Sequence, residues 1–202
     1  MRLRELGDAY GDRVGIHWRA FPLIPDQRPG RLVTDKTREG RRRVAAEEPR
    51  ALFAEPTIGI ALPTSSVPAL TAAKCAERQG DAEFRRLHDR LFVGHFRDNL
   101  DISRPDVLRR LARESDIDVA RFERDYADGT AYDAVLHDYA EAVAWFGVSA
   151  VPTVVFGEKV SVVGAVPAEH YRIIVDWFLA GQPGGLVPLA ATASGATRPG
   201  GA

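Results

Sequence analysis

Cysteine is almost absent: Cys75 is the only one in a chain of 202 residues. A lone thiol cannot close an internal disulfide, supply a Cys-x-x-Cys redox pair or build a thiolate-rich zinc site within one chain. Charge imbalance is missing too. With 27 basic and 28 acidic side chains the formal net charge is -1, which gives no polyelectrolyte reason to expect nucleic acid or an anionic bilayer as partner. No apolar run approaches the ~18 residues of a membrane span. The opening MRLRELGDAYGDRV lacks the apolar middle and small-residue cleavage site of a secretory leader. The chain therefore reads as soluble and cytoplasmic, with no nucleic-acid or membrane partner. Neither a Gly-rich phosphate loop nor a Gly-x-Ser-x-Gly elbow occurs. His17, His88, His95, His137 and His170 follow no recognised zinc spacing, so no metal site is expected.

The chain has ample length for a sizeable core, and its periodicities are clear. RLRELGDAYG reads as the end of a helix, with Leu3 and Leu6 on one face and Gly7 and Gly11 offering places to stop. In RVGIHWRAF, Val14, Ile16, Trp18 and Ala20 alternate with more polar neighbours, the pattern of a strand with one buried face. Residues 26 to 64 are rich in charge and poor in large apolar side chains, and read as a surface excursion with one short helix. Its basic run REGRRR is followed by AAEEP, which suits a locally neutralised solvent face better than a phosphate site.

From residue 65 to 147 the period is helical throughout. Ser65 or Ser66 caps a helix ending before Gly80, and the next carries Phe84, Leu87, Leu91 and Phe92 on one side. Ser103 is the expected cap of SRPDVLRRLA, with Asp106 favourably placed in its first turn, and Asp118 opens another helix. Thr130 should start the longest helix, with Tyr132, Val135, Leu136, Tyr139, Ala142, Val143 and Phe146 at helical spacing and Gly147 as its left-handed stop. A helical block of about 80 residues is too long for a crossover and reads as an inserted subdomain. TVVFG and VSVVG, separated by EK, form an antiparallel hairpin. A final helix begins near Pro167 and gathers Tyr171, Ile174, Val175 and Phe178. The expected organisation is a first core segment over 1–64, a helical subdomain over 65–147, a second core segment over 148–181 and a flexible tail over 182–202.

The most functional position is a proline at the mouth of an apolar strand, in SAVPTVVF. Pro152 cannot donate a hydrogen bond, and it pushes Val151 into an extended conformation. Considered alone, Pro152 simply opens a strand. Cys75 lies mid-helix in TAAKCA, away from a helix N-terminus that would activate it, and reads as a structural thiol. Trp18 is a core residue with the alternative of flanking a groove, and Ser65 and Ser66 are caps rather than nucleophiles.

Taken together, several stretches carry a resemblance: HWRAFPLIP with Trp18, Arg19, Phe21, Leu23 and Pro25; LPTSSVPALTAAKCAERQG; Phe92, Phe96 and DIS at 101 to 103; and FGVSAVPTVVFG followed by VVGAVPAEHY. Their order resembles the DsbA-like branch of the thioredoxin superfamily, an α/β fold with a helical subdomain inserted in a thioredoxin core. Within it the chain looks most like the FrnE-type oxidoreductases and the 2-hydroxychromene-2-carboxylate isomerases. The resemblance implies that Pro152 is a cis proline facing the active site and that Val151 receives substrate through its backbone. It also implies that the first strand and the junction bearing the nucleophile, Cys-x-x-Cys in the oxidoreductases or serine in the isomerases, lie upstream of Met1. No catalytic residue is then expected within the chain.

The function expected is that of a thiol–disulfide oxidoreductase-like protein, redox-silent as written, acting on a peptide or protein disulfide or a small thiol-linked substrate. Two alternatives remain open: a glutathione-dependent isomerase, for which glutathione would be the cofactor, and a non-enzymatic binding protein that recruits a strand. A homodimer through an open sheet edge is compatible with the sequence, which supplies no symmetry signal of its own.

Overall fold

Eight α-helices and two short strands follow one another along residues 2–182, the part of the chain that the computed structural model describes. The expected flexible tail lies outside the described residues from 183 onward. The chain divides into two compact units: one drawn from both ends of the chain, up to Trp18 and from Ala142 onward, and one formed by Arg19–Glu141.

The first unit holds α1 (Arg2–Tyr10), a single 3-10 turn (Gly11–Arg13), β1 (Thr153–Phe156), β2 (Val160–Val163) and α8 (Ala168–Leu179). The strands pair antiparallel in the register Thr153↔Val163, Val154↔Val162, Val155↔Ser161 and Phe156↔Val160. Strand alternation puts Val154, Phe156, Val160 and Val162 on one face. That face packs with Leu6 and Tyr10 of α1 and with Tyr171, Ile174 and Val175 of α8, so that the helices supply the burial a lone hairpin lacks. Gly157 and Glu158 take positive φ at the turn, and a Cβ on Gly157 would stand 2.7 Å from the Phe178 ring. Two polar ties complete the unit. The Tyr10 hydroxyl donates to Asp176 Oδ1 at 2.7 Å, and Arg2 donates to the carbonyls of Ala165 and Val166 at 2.6 and 2.9 Å.

The strand expected over Val14 to Ala20 is not formed. Val14 is extended (φ −137°, ψ 116°) and packs on the core of the unit, but the described sheet contains β1 and β2 only. Alternation supplies a buried face and no hydrogen-bonded neighbour, and a strand needs both.

The second unit contains α2 (Asp35–Glu47), α3 (Val67–Glu77), α4 (Asp81–Phe96), α5 (Pro105–Arg113), α6 (Val119–Ala127) and most of α7 (Thr130–Ala144). α3 is its axis, and packs against α4, α5 and α6. Ala69, Ala72, Ala73 and Ala76 are all buried, and their small side chains let neighbouring helices approach closely around Leu87, Leu108, Leu111 and Phe122.

Four local features differ from what the sequence predicts. α2 has thirteen residues where a short helix was expected, because Thr34 and Thr37 form a reciprocal capping box at its start. Its Arg38 and Arg42 pair with Glu55 rather than with the acidic residues just after the helix. Ser103 does not cap α5: Arg104 is the N-cap and Pro105 takes the first turn, while the Ser103 hydroxyl bonds Asp101. α7 is fifteen residues against sixteen for α4, and buries Ala131, Val135 and Asp138 while Tyr132, Leu136 and Val143 stay exposed. The buried row of α7 is therefore the one carrying a carboxylate, Asp138, which is paired with Lys74.

Candidate substrate-binding site

The site at Val151 and Pro152 is built from two chain reversals. α7 is closed by Gly147 in the left-handed region (φ +60°) and by the Val148 N–H, which donates to the Ala142 carbonyl at 2.9 Å. The chain then turns a second time before β1. There the Thr153 hydroxyl donates to the Ala150 carbonyl at 2.7 Å, and the Gly164 N–H donates to the Pro152 carbonyl at the same distance. The Val151–Pro152 peptide bond is cis.

The Gly164 to Pro152 bond fixes which groups of β1 face β2. In an antiparallel ladder bonded pairs alternate with non-bonded ones, so Val154 and Phe156 bond toward β2, and the N–H and C=O of Val155 point to the outer edge. Val151 is 41% exposed, and among the described residues its backbone makes no hydrogen bond. Among the described residues, neither the Val151 backbone nor the outward-facing groups of Val155 have a hydrogen-bond partner.

The other residues singled out from the sequence lie elsewhere. Cys75 is fully buried in α3, and burial, reinforced by the Asp125 carboxylate, pushes its thiol up to about 12. Ser65 is buried; its hydroxyl donates to the Ile24 carbonyl and accepts from the Val67 N–H, so it works as a turn and helix-start residue. Ser66 is the N-cap residue of α3 without a capping side-chain bond, and its hydroxyl accepts the Ile24 N–H instead. Trp18 is half-buried. His88 lies between Phe84 and Phe92 on α4. His95 packs edge-on to Phe96, with Nδ1 buried and unpartnered among the described residues.

One cluster was not anticipated. Lys74 and Asp138 are buried and pair at 2.7 Å; Asp138 also accepts the Ala20 N–H at 2.8 Å, and Lys74 reaches Glu77 at 2.7 Å. His137, Asp138 and Glu141 bring possible metal-ligand atoms within 4.8 Å of one another. A cation there would compete with Lys74 and with Arg19, whose Nε is 3.7 Å from Asp138 and 3.5 Å from Glu141. The sequence signal for the pair was a carboxylate three residues after Val135, on the buried row of α7.

The fold and the turn define a class. The chain matches the family model of the DSBA-like thioredoxin domain over residues 1–173, and it belongs to that family. Among solved structures it is similar to one described as "a putative protein disulfide isomerase from Nitrosomonas europaea", with a TM-score of 0.69, 16% identity and 89% of each chain covered. At that identity the likeness is one of fold. No curated protein matches the chain. Among the described residues no helix is long and apolar enough to cross a membrane.

Proposed function

We propose that this chain is a thiol–disulfide oxidoreductase-like scaffold that holds an extended polypeptide at Val151 and Pro152, and that its own residues do not carry out disulfide exchange. The observation that supports the reading is the exposed Val151, whose backbone makes no hydrogen bond among the described residues, next to an edge of β1 that has no strand partner among them. An extended chain laid there can pair strand-fashion with these groups.

Exchange requires a thiolate to attack a disulfide sulfur, form a mixed disulfide and expel the second sulfur as thiolate. Cys75 meets neither requirement of an attacking thiol, being both shielded and protonated. Family membership and the disulfide isomerase described for the Nitrosomonas europaea structure support the oxidoreductase-like kind.

The test combines two measurements on the full chain. Amide chemical shifts of Val151, Thr153 and Val155 should move when an unstructured peptide is added, and insulin reduction should stay at the uncatalysed rate. Insulin reduction abolished by Cys75→Ser would show that the buried thiol is catalytic. Glutathione moving these amides while peptides do not would favour the isomerase alternative.

A further inference from the structure

α7 carries His137, Asp138 and Glu141 within little more than one turn, and one ligand atom from each lies within 4.8 Å of the other two. His137 and Glu141 are four residues apart and Asp138 and Glu141 three, so the helix brings all three together. An imidazole with two carboxylates is a donor set for a first-row divalent ion such as Zn²⁺. Ligand atoms around a tetrahedral zinc stand about 3.3 Å apart. A contraction of about 1.5 Å closes the set, within the swing of the exposed His137 and the half-buried Glu141.

The two oxygens of Asp138 are not equivalent. Oδ2 takes both close contacts, Lys74 Nζ at 2.7 Å and the Ala20 N–H at 2.8 Å. Oδ1 accepts no hydrogen bond among the described residues, and Arg19 Nε stands 3.7 Å from it. The same Nε is 3.5 Å from Glu141 Oε2. A cationic group thus already stands at both carboxylates, farther off than the ~2.7–2.9 Å of a charge-assisted hydrogen bond. Its side chain is 57% exposed and free to swing into water. Lys74 and the Ala20 N–H meanwhile hold Asp138 as the outer partners of a metal-ligating carboxylate do.

We propose that His137, Asp138 Oδ1 and Glu141 form a binding site for a divalent zinc-like cation, which takes the place of the Arg19 guanidinium. The charges of the network favour the exchange. Glu77, Asp138 and Glu141 carry three negative charges against two positive ones on Lys74 and Arg19. A divalent ion in place of Arg19 brings this set to neutrality, and Glu77, 2.7 Å from Lys74, offsets the repulsion that the buried ammonium exerts on the ion. The imidazole selects the ion, because a hard cation such as Ca²⁺ requires oxygen ligands and gains little from nitrogen. Three protein ligands leave a tetrahedral ion one position for water or another ligand. The site is independent of the peptide-holding reading of Val151.

The probe is ZnCl₂ titrated into the full chain, followed by calorimetry and by the imidazole carbon-bound proton signals of the five histidines. One saturable site of micromolar Kd is expected, with the His137 signals moving first. His137→Ala and Glu141→Gln should each weaken it at least about tenfold while leaving the urea midpoint without zinc nearly unchanged, since both side chains lie toward solvent. Asp138 stays native, because its loss would also strand Lys74. Arg19→Ala should tighten zinc binding about two- to fivefold, the range set by an exposed ion pair. CaCl₂ should not compete at a hundredfold excess. Zinc affinity unchanged in both His137→Ala and Glu141→Gln would place the ion on other histidines and overturn the proposal. So would the absence of saturable binding below millimolar zinc, or equal affinity for calcium. Weaker binding in Arg19→Ala would overturn the exchange with the guanidinium.

Discussion

Lys74 Nζ and Asp138 Oδ2 stand 2.7 Å apart with side chains only 7% and 8% exposed, and so tie α3 to α7 inside the helical unit. The pair is fully engaged, because Asp138 also accepts the Ala20 N–H and Lys74 also reaches Glu77. Removing one partner strands the other, and breaking such a pair costs about 3–5 kcal/mol. Asp138→Ala should cost more than Lys74→Met, since it orphans a backbone N–H as well. The double variant Lys74→Met with Asp138→Leu should recover part of the loss in urea unfolding. Additive losses would mean that the two residues act independently.

Cys75 provides a second check. Its thiol is held up to about 12, so at pH 8 roughly one molecule in ten thousand carries the thiolate at equilibrium. Labelling by a disulfide reagent should be slow in the native protein and should become stoichiometric and fast in denaturant. Rapid native labelling would contradict the burial that the proposed redox silence depends on.

Gly157 sits in the left-handed region at φ +51°, with the Phe178 ring closing the space a Cβ would need. Gly157→Ala combines backbone strain with overpacking and should cost about 2–4 kcal/mol. Shortening Phe178 to Leu in the same chain should return part of this, since it relieves the contact and not the strain. A thermal midpoint unchanged by Gly157→Ala would refute the contact.

His95 gives a pH dependence of definite sign. Its pKa is lowered, first by burial and then by the Arg41 guanidinium, with the Leu100 backbone bond and Asp101 opposing. The unfolded chain therefore takes up the proton first, at about pH 6.5. The contribution of His95 is complete above that pH and is lost as pH falls through the lower folded-state value. His95→Gln should flatten the decline of stability between pH 7.5 and 5. An equally steep decline in the variant would assign it to other groups.

Much of the fold was legible from one sequence because helices are local. Asp118 caps α6, Thr130 opens α7 and Gly147 closes the turn beyond it, all within reach of a few residues of chain. The hairpin was legible for the same reason, with Gly157 between two β-branched runs. The Ser103 cap failed by one residue because Pro105 claimed the first turn, a competition between two acceptable starts. At the candidate site, Val151 and Pro152 stood out in the sequence, while the lack of a hydrogen-bond partner for the Val151 backbone among the described residues did not.

The sequence by itself determined the run of helices α3–α7, the hairpin, the single cysteine and the family, since periodicity, capping and residue order are written along the chain. Tertiary structure alone decided that Val14 to Ala20 has no ladder partner among the described residues, that α7 turns Asp138 inward to Lys74, and that Val151 is exposed. Each of these depends on which groups distant in sequence meet, and hydrogen bonds, ion pairs and burial exist only once both sides are in place.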